Sequence, residues 1–148
     1  DTNLLLGLYS TILETGNRIE LPNDFAEQFE DGLFITQGFD RNIMALTMDA
    51  FEEVYERVTS VNLADTLARL LLRMLLSTAS RAEIGSDGTV QVSKYLKEFA
   101  RLDGEDVLVG QGDFIEIWSS EIWDEQTKQS QGQEFDPGRF ASLLITTR

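Results

Sequence analysis

Arg18-Ile19-Glu20-Leu21-Pro22, followed by Phe25, decides the fold because the chain contains it twice. At an offset of 71, Thr89-Val90-Gln91-Val92-Ser93 followed by Leu96 repeats the same alternation of polar and apolar residues. Such a duplication fixes an architecture before any single residue is interpreted. The flanks agree. Leu33-Phe34-Ile35 then Gln37-Gly38 parallels Val107-Leu108-Val109 then Gln111-Gly112 at 74, and Asp49-Ala50-Phe51 parallels Glu121-Ile122-Trp123 at 72.

Within each copy, Tyr9 to Leu21 and Arg81 to Val92 carry period-two stretches, the pattern of half-buried strands. Gly16-Asn17 and Asp87-Gly88 fall at aligned positions and tolerate the positive φ of a two-residue turn, so one hairpin is predicted in each copy. Asn23 to Phe29 and Ser93 to Phe99 then read as short helices capped by Asn23 and Ser93, with aromatics spaced by four. A second strand pair follows in each: Leu33 to Thr36 with Ile43 to Leu46, and Val107 to Val109 with Phe114 to Trp118. Thr47 and Ser119 are predicted to cap the helices that close the copies, with Asp49 and Glu121 at their positive ends. Trp118 and Trp123 read as core. Asn62 to Ser77 is a helix whose apolar residues exceed one stripe, which implies packing between repeats or subunits. Gln126 to Gln133 reads as polar linker. Phe140 to Ile145 is an apolar patch that either docks or stays loose.

The 148 residues are 42% hydrophobic and 26% charged, within the range of soluble globular domains, and a chain this long buries enough surface to need no staple. With no Cys and no His, thiol and imidazole catalysis, disulfides and soft-ligand metal sites are excluded. No stretch approaches the roughly 18 apolar residues of a membrane helix, no signal region is evident, and Asp1 suggests a processed or trimmed start; a cytoplasmic protein is expected. The net charge is −14: residues 1–60 carry −9, residues 61–102 carry +2 and residues 103–148 carry −7. An anion-facing surface is therefore expected to draw on the middle. Asp103, Glu105 and Asp106 read as a solvated turn without calcium-loop spacing. Gly110-Gln111-Gly112 lacks the third glycine of a dinucleotide loop and reads as a hairpin turn. No catalytic set, cofactor or metal is expected.

Leu5-Leu6-Gly7-Leu8-Tyr9, the two turn-strand-helix units, the link Arg69-Leu70-Leu71-Leu72-Arg73 through Leu76-Ser77, and Phe114-Ile115-Glu116-Ile117-Trp118-Ser119 with Trp123 together resemble the MraZ family. The resemblance implies an α+β, mainly β fold of two tandem AbrB/MazE-like swapped-hairpin units with short helices. Residues 4–60 would form the first unit, 61–78 a connecting helix, 79–126 the second unit and 127–148 a C-terminal tail. It further implies a ring-like homo-oligomer in the bacterial cytoplasm, associated with the nucleoid. There it would act as a DNA-binding transcriptional regulator on double-stranded DNA, at repeated promoter sites upstream of division and cell-wall genes. No membrane partner is expected.

The family's contact motif is an acid, three residues, then an arginine, on the tip of the first hairpin. Glu14-Thr15-Gly16-Asn17-Arg18 keeps it, whereas Gly85-Ser86-Asp87-Gly88-Thr89 has neither the acid nor the arginine. The resemblance thus points to Glu14, Thr15, Asn17, Arg18, Ser86, Asp87 and Thr89 as DNA contacts. Lys94 and Lys97, with Arg101 at helical spacing, add a basic ridge able to reach phosphate. Blander readings stand beside these: Glu14 and Arg18 as a solvated cross-strand pair worth about 0–1 kcal/mol, and the ridge as a solubilising face. Leu67, Leu70, Leu71 and Met74 are the expected oligomer interface, with Arg69 and Arg73 pairing carboxylates between subunits. An acidic oligomeric scaffold or protein-interaction module, with weakened or lost DNA binding, is the alternative function.

Overall fold

A computed structural model of the chain describes residues 4–132, and the apolar patch from Phe140 to Ile145 lies outside them. The strands are β1 (Leu8–Glu14), β2 (Arg18–Glu20), β3 (Leu33–Gln37), β4 (Ile43–Thr47), β5 (Ser80–Ala82), β6 (Thr89–Gln91), β7 (Glu105–Gly110) and β8 (Phe114–Ser119). The helices are α1 (Asn23–Gln28), α2 (Met48–Thr59), α3 (Thr66–Ser77), α4 (Lys94–Phe99) and α5 (Ser120–Gly132). The result is an α+β, mainly β architecture. No described helix is long and apolar enough to cross a membrane.

One eight-stranded sheet runs in the order β5-β3-β4-β8-β7-β1-β2-β6, all neighbours antiparallel. Its two repeats exchange strands. β1 of the first copy pairs with β7 of the second, while β5 of the second pairs with β3 of the first. A local two-fold passes between β2 and β6, where Ile19 faces Val90, and between β4 and β8, where Ile43 faces Ile117 and Ala45 faces Ile115. The backbone bonds obey it as well: Val92 N–H donates to Asn17 O at 2.9 Å and Leu21 N–H to Gly88 O at 3.0 Å. Each turn is tied down by the other repeat.

The repeated apolar positions make the core. Ile19 and Val90, Leu21 and Val92, Phe25 and Leu96, Phe29 and Ala100 are all buried, together with Leu33, Ile35, Leu108, Ile115 and Ile117. Each large side chain so buried contributes about 1.5–3 kcal/mol. Outside the sheet, aligned positions do the same work again: Phe51 of α2 stacks on Phe34 at 4.0 Å, and Trp123 of α5 packs edge-on against Trp118 at 5.3 Å. Helix α3 is fixed at its end by the Thr36 hydroxyl, which donates to Leu75 O at 2.7 Å.

Several expectations are corrected. Only the first copy forms a laddered hairpin, with Leu13 opposite Ile19 and Glu14 opposite Arg18. Its loop has three residues, Thr15 to Asn17, with positive φ at Gly16 and Asn17. In the second copy β5 has three residues, all of which pair with β3. Within that repeat the turn is closed by Gly85 N–H to Thr89 O at 2.8 Å and Gly88 N–H to Gly85 O at 2.9 Å, and only Gly88 takes positive φ. Asn23 does not cap α1: Pro22 occupies that position, aligned with Ser93, and offers no side-chain acceptor. Ser93, Thr47 and Ser119 do cap, accepting from Leu96, Ala50 and Ile122 amides. In α4 Tyr95 is exposed while Phe99 packs half-buried against the core, where Leu96 and Ala100 hold the fully buried positions. The stretch after Gln126 is not linker: α5 carries it as helix to Gly132.

Asp106 is a further correction, since it is buried at 1% exposure. With β7 beginning at Glu105, strand alternation turns Glu105 to solvent and Asp106 inward beside Leu108. Among the described residues neither carboxyl oxygen has a hydrogen-bond partner. Burial, aided by the nearby Asp103 carboxylate, raises its pKa from 3.8 to about 6. A folded-state value above the unfolded one means that folding favours the protonated acid. The cost is absent below about pH 4, grows as pH rises, and is complete above the folded value. Asp106→Asn is therefore expected to stabilise the fold by about 1–3 kcal/mol near pH 7.5 and to change little near pH 4, as read by denaturant titration. An equal effect at both pH values would contradict this assignment.

Candidate nucleic-acid interface

The first turn projects Glu14 and Thr15 into solvent and keeps Asn17 and Arg18 half-buried, because β6 runs beneath it. The Gln91 amide of β6 donates to Gly16 O at 3.1 Å, adding to the Val92 to Asn17 bond. An open groove of about 510 Å³ beside this turn is lined by Leu13, Glu14, Thr15, Gly16, Asn17, Lys97, Leu102, Asp103 and Gly104. Lys97 is thus brought to the first turn. Lys94, exposed on the first turn of α4, does not line that groove.

Arg18 reaches across the local two-fold. Its Nε donates to Thr89 Oγ1 at 2.7 Å and its Nη2 to Thr89 O at 3.2 Å. No ion pair joins it to Glu14 among the described residues. The expected cross-turn pair is replaced by a bond to the aligned residue of the other repeat. Thr89, 2% exposed, is itself held by Asp87: its hydroxyl donates to Asp87 Oδ1 at 2.7 Å and its amide to the same oxygen at 3.1 Å. Those two bonds hold the Asp87 carboxyl below the usual aspartate range, with the Arg18 charge a smaller contribution. Ser86 is exposed beside this cluster and has no part in it.

Gly85 completes the cluster by leaving room for it. A Cβ there would lie 2.9 Å from Arg18 Nη2 and 2.8 Å from Asp87 Oδ1, so the guanidinium occupies the space that a side chain would need. The signal was in the sequence: Gly85 stands at the place of Glu14 in the repeat. Of the predicted contacts, the structure therefore gathers Arg18, Asp87 and Thr89 in one cluster, and Glu14, Thr15, Asn17 and Lys97 around one groove.

The expected oligomer surface divides. Ala68 and Leu75 turn α3 inward, Leu71 and Met74 are half-buried on its flank, and Leu67 and Leu70 project with 71% and 57% of their surface exposed. Leu63 extends the same exposed apolar area. Within the chain, Arg69 donates to Leu63 O at 2.8 Å and to the Thr66 hydroxyl at 3.3 Å. Further exposed apolar side chains lie along the opening segment and β1: Leu4 and Leu6, which line an acidic groove, and Leu8 and Ile12.

No protein-family profile matches the sequence. Individual relatives do. The chain is 36% identical over 120 residues to the Transcriptional regulator MraZ of Micrococcus luteus, covering 81% of this chain and 84% of that protein. It is 32% identical over 133 residues to the protein of the same name from Leuconostoc mesenteroides, covering 90% and 92%. With the one from Clavibacter michiganensis it shares 32% identity over 143 residues, 93% of this chain and all of the relative. Identity at this level along nearly the whole length, on a sheet in which two repeats exchange strands, places the chain in the MraZ family.

Proposed function

We propose that the chain is a DNA-binding transcriptional regulator that assembles as a ring-like homo-oligomer. It acts in the cytoplasm, on the nucleoid, at repeated promoter sites upstream of division and cell-wall genes. Regulation of transcription follows from the name its relatives carry, which is not that of an enzyme. The observation that carries DNA contact is Arg18, a guanidinium at a turn anchored from below by the other repeat. An arginine so placed can address two adjacent acceptors, either the guanine edge in the major groove or phosphate oxygens. One such contact is weak, and avidity over several subunits makes it sufficient.

Exposed apolar side chains around α3, Leu63, Leu67 and Leu70, and along the opening segment and β1, Leu4, Leu6, Leu8 and Ile12, support the assembly. When unlike surfaces of identical chains dock, the contact is head-to-tail, and it closes into a ring if the rotation permits. The alternative, an acidic scaffold, draws on the net charge of −14 and on an open groove of about 820 Å³ whose lining includes Asp24, Glu27, Glu30, Asp31, Asp49, Glu53 and Asp113 together with the apolar Leu4 and Leu6.

Fluorescence anisotropy with DNA from upstream of the chain's own gene, against a shuffled duplex over a salt series, decides between them. The regulator is expected to prefer its own DNA and to lose affinity steeply with salt. Weak, equal binding to both duplexes would favour the scaffold.

A further inference from the structure

The second turn offers no arginine, and its residues instead surround the arginine of the first. Gly85 leaves the space, Thr89 supplies two acceptors, and Asp87 fixes the Thr89 hydroxyl by taking its proton in a hydrogen bond. Arg18 has five N–H donors. The two used here lie on the Nε side of the guanidinium, and no hydrogen bond of the Nη1 group is found among the described residues. The terminal fork, Nη1 with the second hydrogen of Nη2, is thus left to address two acceptors at once.

We propose that Thr89, held by Asp87 over Gly85, is a positioning residue that orients the terminal fork of Arg18 toward a guanine base edge. Each chain then carries one oriented guanidinium rather than two independent ones. A long, flexible side chain loses rotamer freedom when it binds, and a clamp that removes this freedom beforehand favours the bound geometry. Asp87 accounts for the direction of the Thr89 hydroxyl: hydrogen-bonded to the carboxylate, the oxygen turns its lone pairs to the arginine. A phosphate would tolerate many approaches of a mobile guanidinium, whereas the O6 and N7 atoms of guanine demand one plane. A fixed fork therefore suits the base.

This inference rests on the proposed DNA reading, and the experiment separates their failures. The probe is a guanine-containing duplex selected by the wild-type chain from a random pool, compared with a shuffled duplex and with one carrying 7-deazaguanine. Thr89→Val keeps the volume and removes the hydroxyl, Thr89→Ser restores it, and Arg18→Ala removes the guanidinium. Thr89→Val is expected to lose about tenfold of the preference for the selected duplex, with the salt slope unchanged. Thr89→Ser should regain the preference, and 7-deazaguanine should cost the wild type more than Thr89→Val. Full discrimination in Thr89→Val alongside its loss in Arg18→Ala would overturn the positioning role and leave the DNA reading intact. A lower salt slope in Thr89→Val would also overturn it, by assigning Arg18 to phosphate. Unchanged discrimination in Arg18→Ala would sink the DNA reading, and the positioning role with it.

Discussion

Arg18→Ala is expected to weaken binding to cognate DNA by 100-fold or more while the protein stays folded. A single bidentate arginine contact to a guanine is worth about 1–3 kcal/mol of discrimination. In a ring the loss recurs in every engaged subunit, so two or three contacts suffice for the stated factor. Folding is disturbed far less. The substitution removes two hydrogen bonds to Thr89, one of them from a half-buried guanidinium to a backbone carbonyl, but Thr89 keeps its bonds to Asp87. Bonds from a charged group are worth about 1.5–3 kcal/mol each when buried, and less here because Arg18 is only half-buried. Arg18→Lys sharpens the test because lysine keeps the charge and lacks the planar fork. It should retain salt-dependent attraction to any duplex and lose preference for the selected one.

Leu67→Glu combined with Leu70→Glu is expected to have the second large effect, on assembly. Both side chains project from α3 with most of their surface exposed, so their replacement leaves the core untouched. Surface changes of this kind alter stability by about 0.5 kcal/mol or less each. Two carboxylates in an apolar contact between subunits, by contrast, must be desolvated without partners. Light scattering should show the mass fall toward that of one chain, with an unchanged circular dichroism spectrum. Affinity for repeated sites should then drop by about 10²-fold or more through lost avidity. A variant that kept the wild-type mass would place the interface elsewhere, with Leu4, Leu6, Leu8 and Ile12 the next surface to alter.

The repeat made the core legible. Ile19 and Val90, or Phe25 and Leu96, occupy equal places in two copies of one pattern, and period-two alternation assigns them inward. Cap chemistry made helix starts legible at Thr47, Ser93 and Ser119. Partner choice was not legible, because alternation reports which face a residue occupies and not which strand lies alongside. Hence β5 was read as the arm of a hairpin although it belongs to β3. Asp106 escapes the sequence for a related reason: an acidic run suggests a loop, yet a strand that starts within it must turn one acid inward. Gly110 shows the limit most plainly. A Cβ there would lie 2.6 Å from both Leu5 O and Leu6 Cα, so glycine is required by backbone from the far end of the chain.

The candidate site was legible in its parts and not in its assembly. The offset of 71 aligns Arg18 with Thr89, which by itself says only that the motif is kept in one turn and missing from the other. On a local two-fold, however, equivalent residues flank the axis. With Ile19 opposite Val90, Arg18 stands opposite Gln91 and extends along the partner strand to Thr89. Cross-strand neighbours at this diagonal spacing are within reach of a long side chain. Knowledge of where the axis falls, rather than of the residue types, turns two separate turns into one cluster.

Self-association, on this reading, sets several Arg18 side chains side by side along one duplex. Its most direct test measures affinity for DNA carrying one, two or three copies of the selected site, spaced by a full helical turn of about 10.5 base pairs or offset by half a turn. Affinity is expected to climb steeply with each added copy at full-turn spacing, and a half-turn offset to remove the gain. An increase that merely follows the number of sites, indifferent to their spacing, would contradict it.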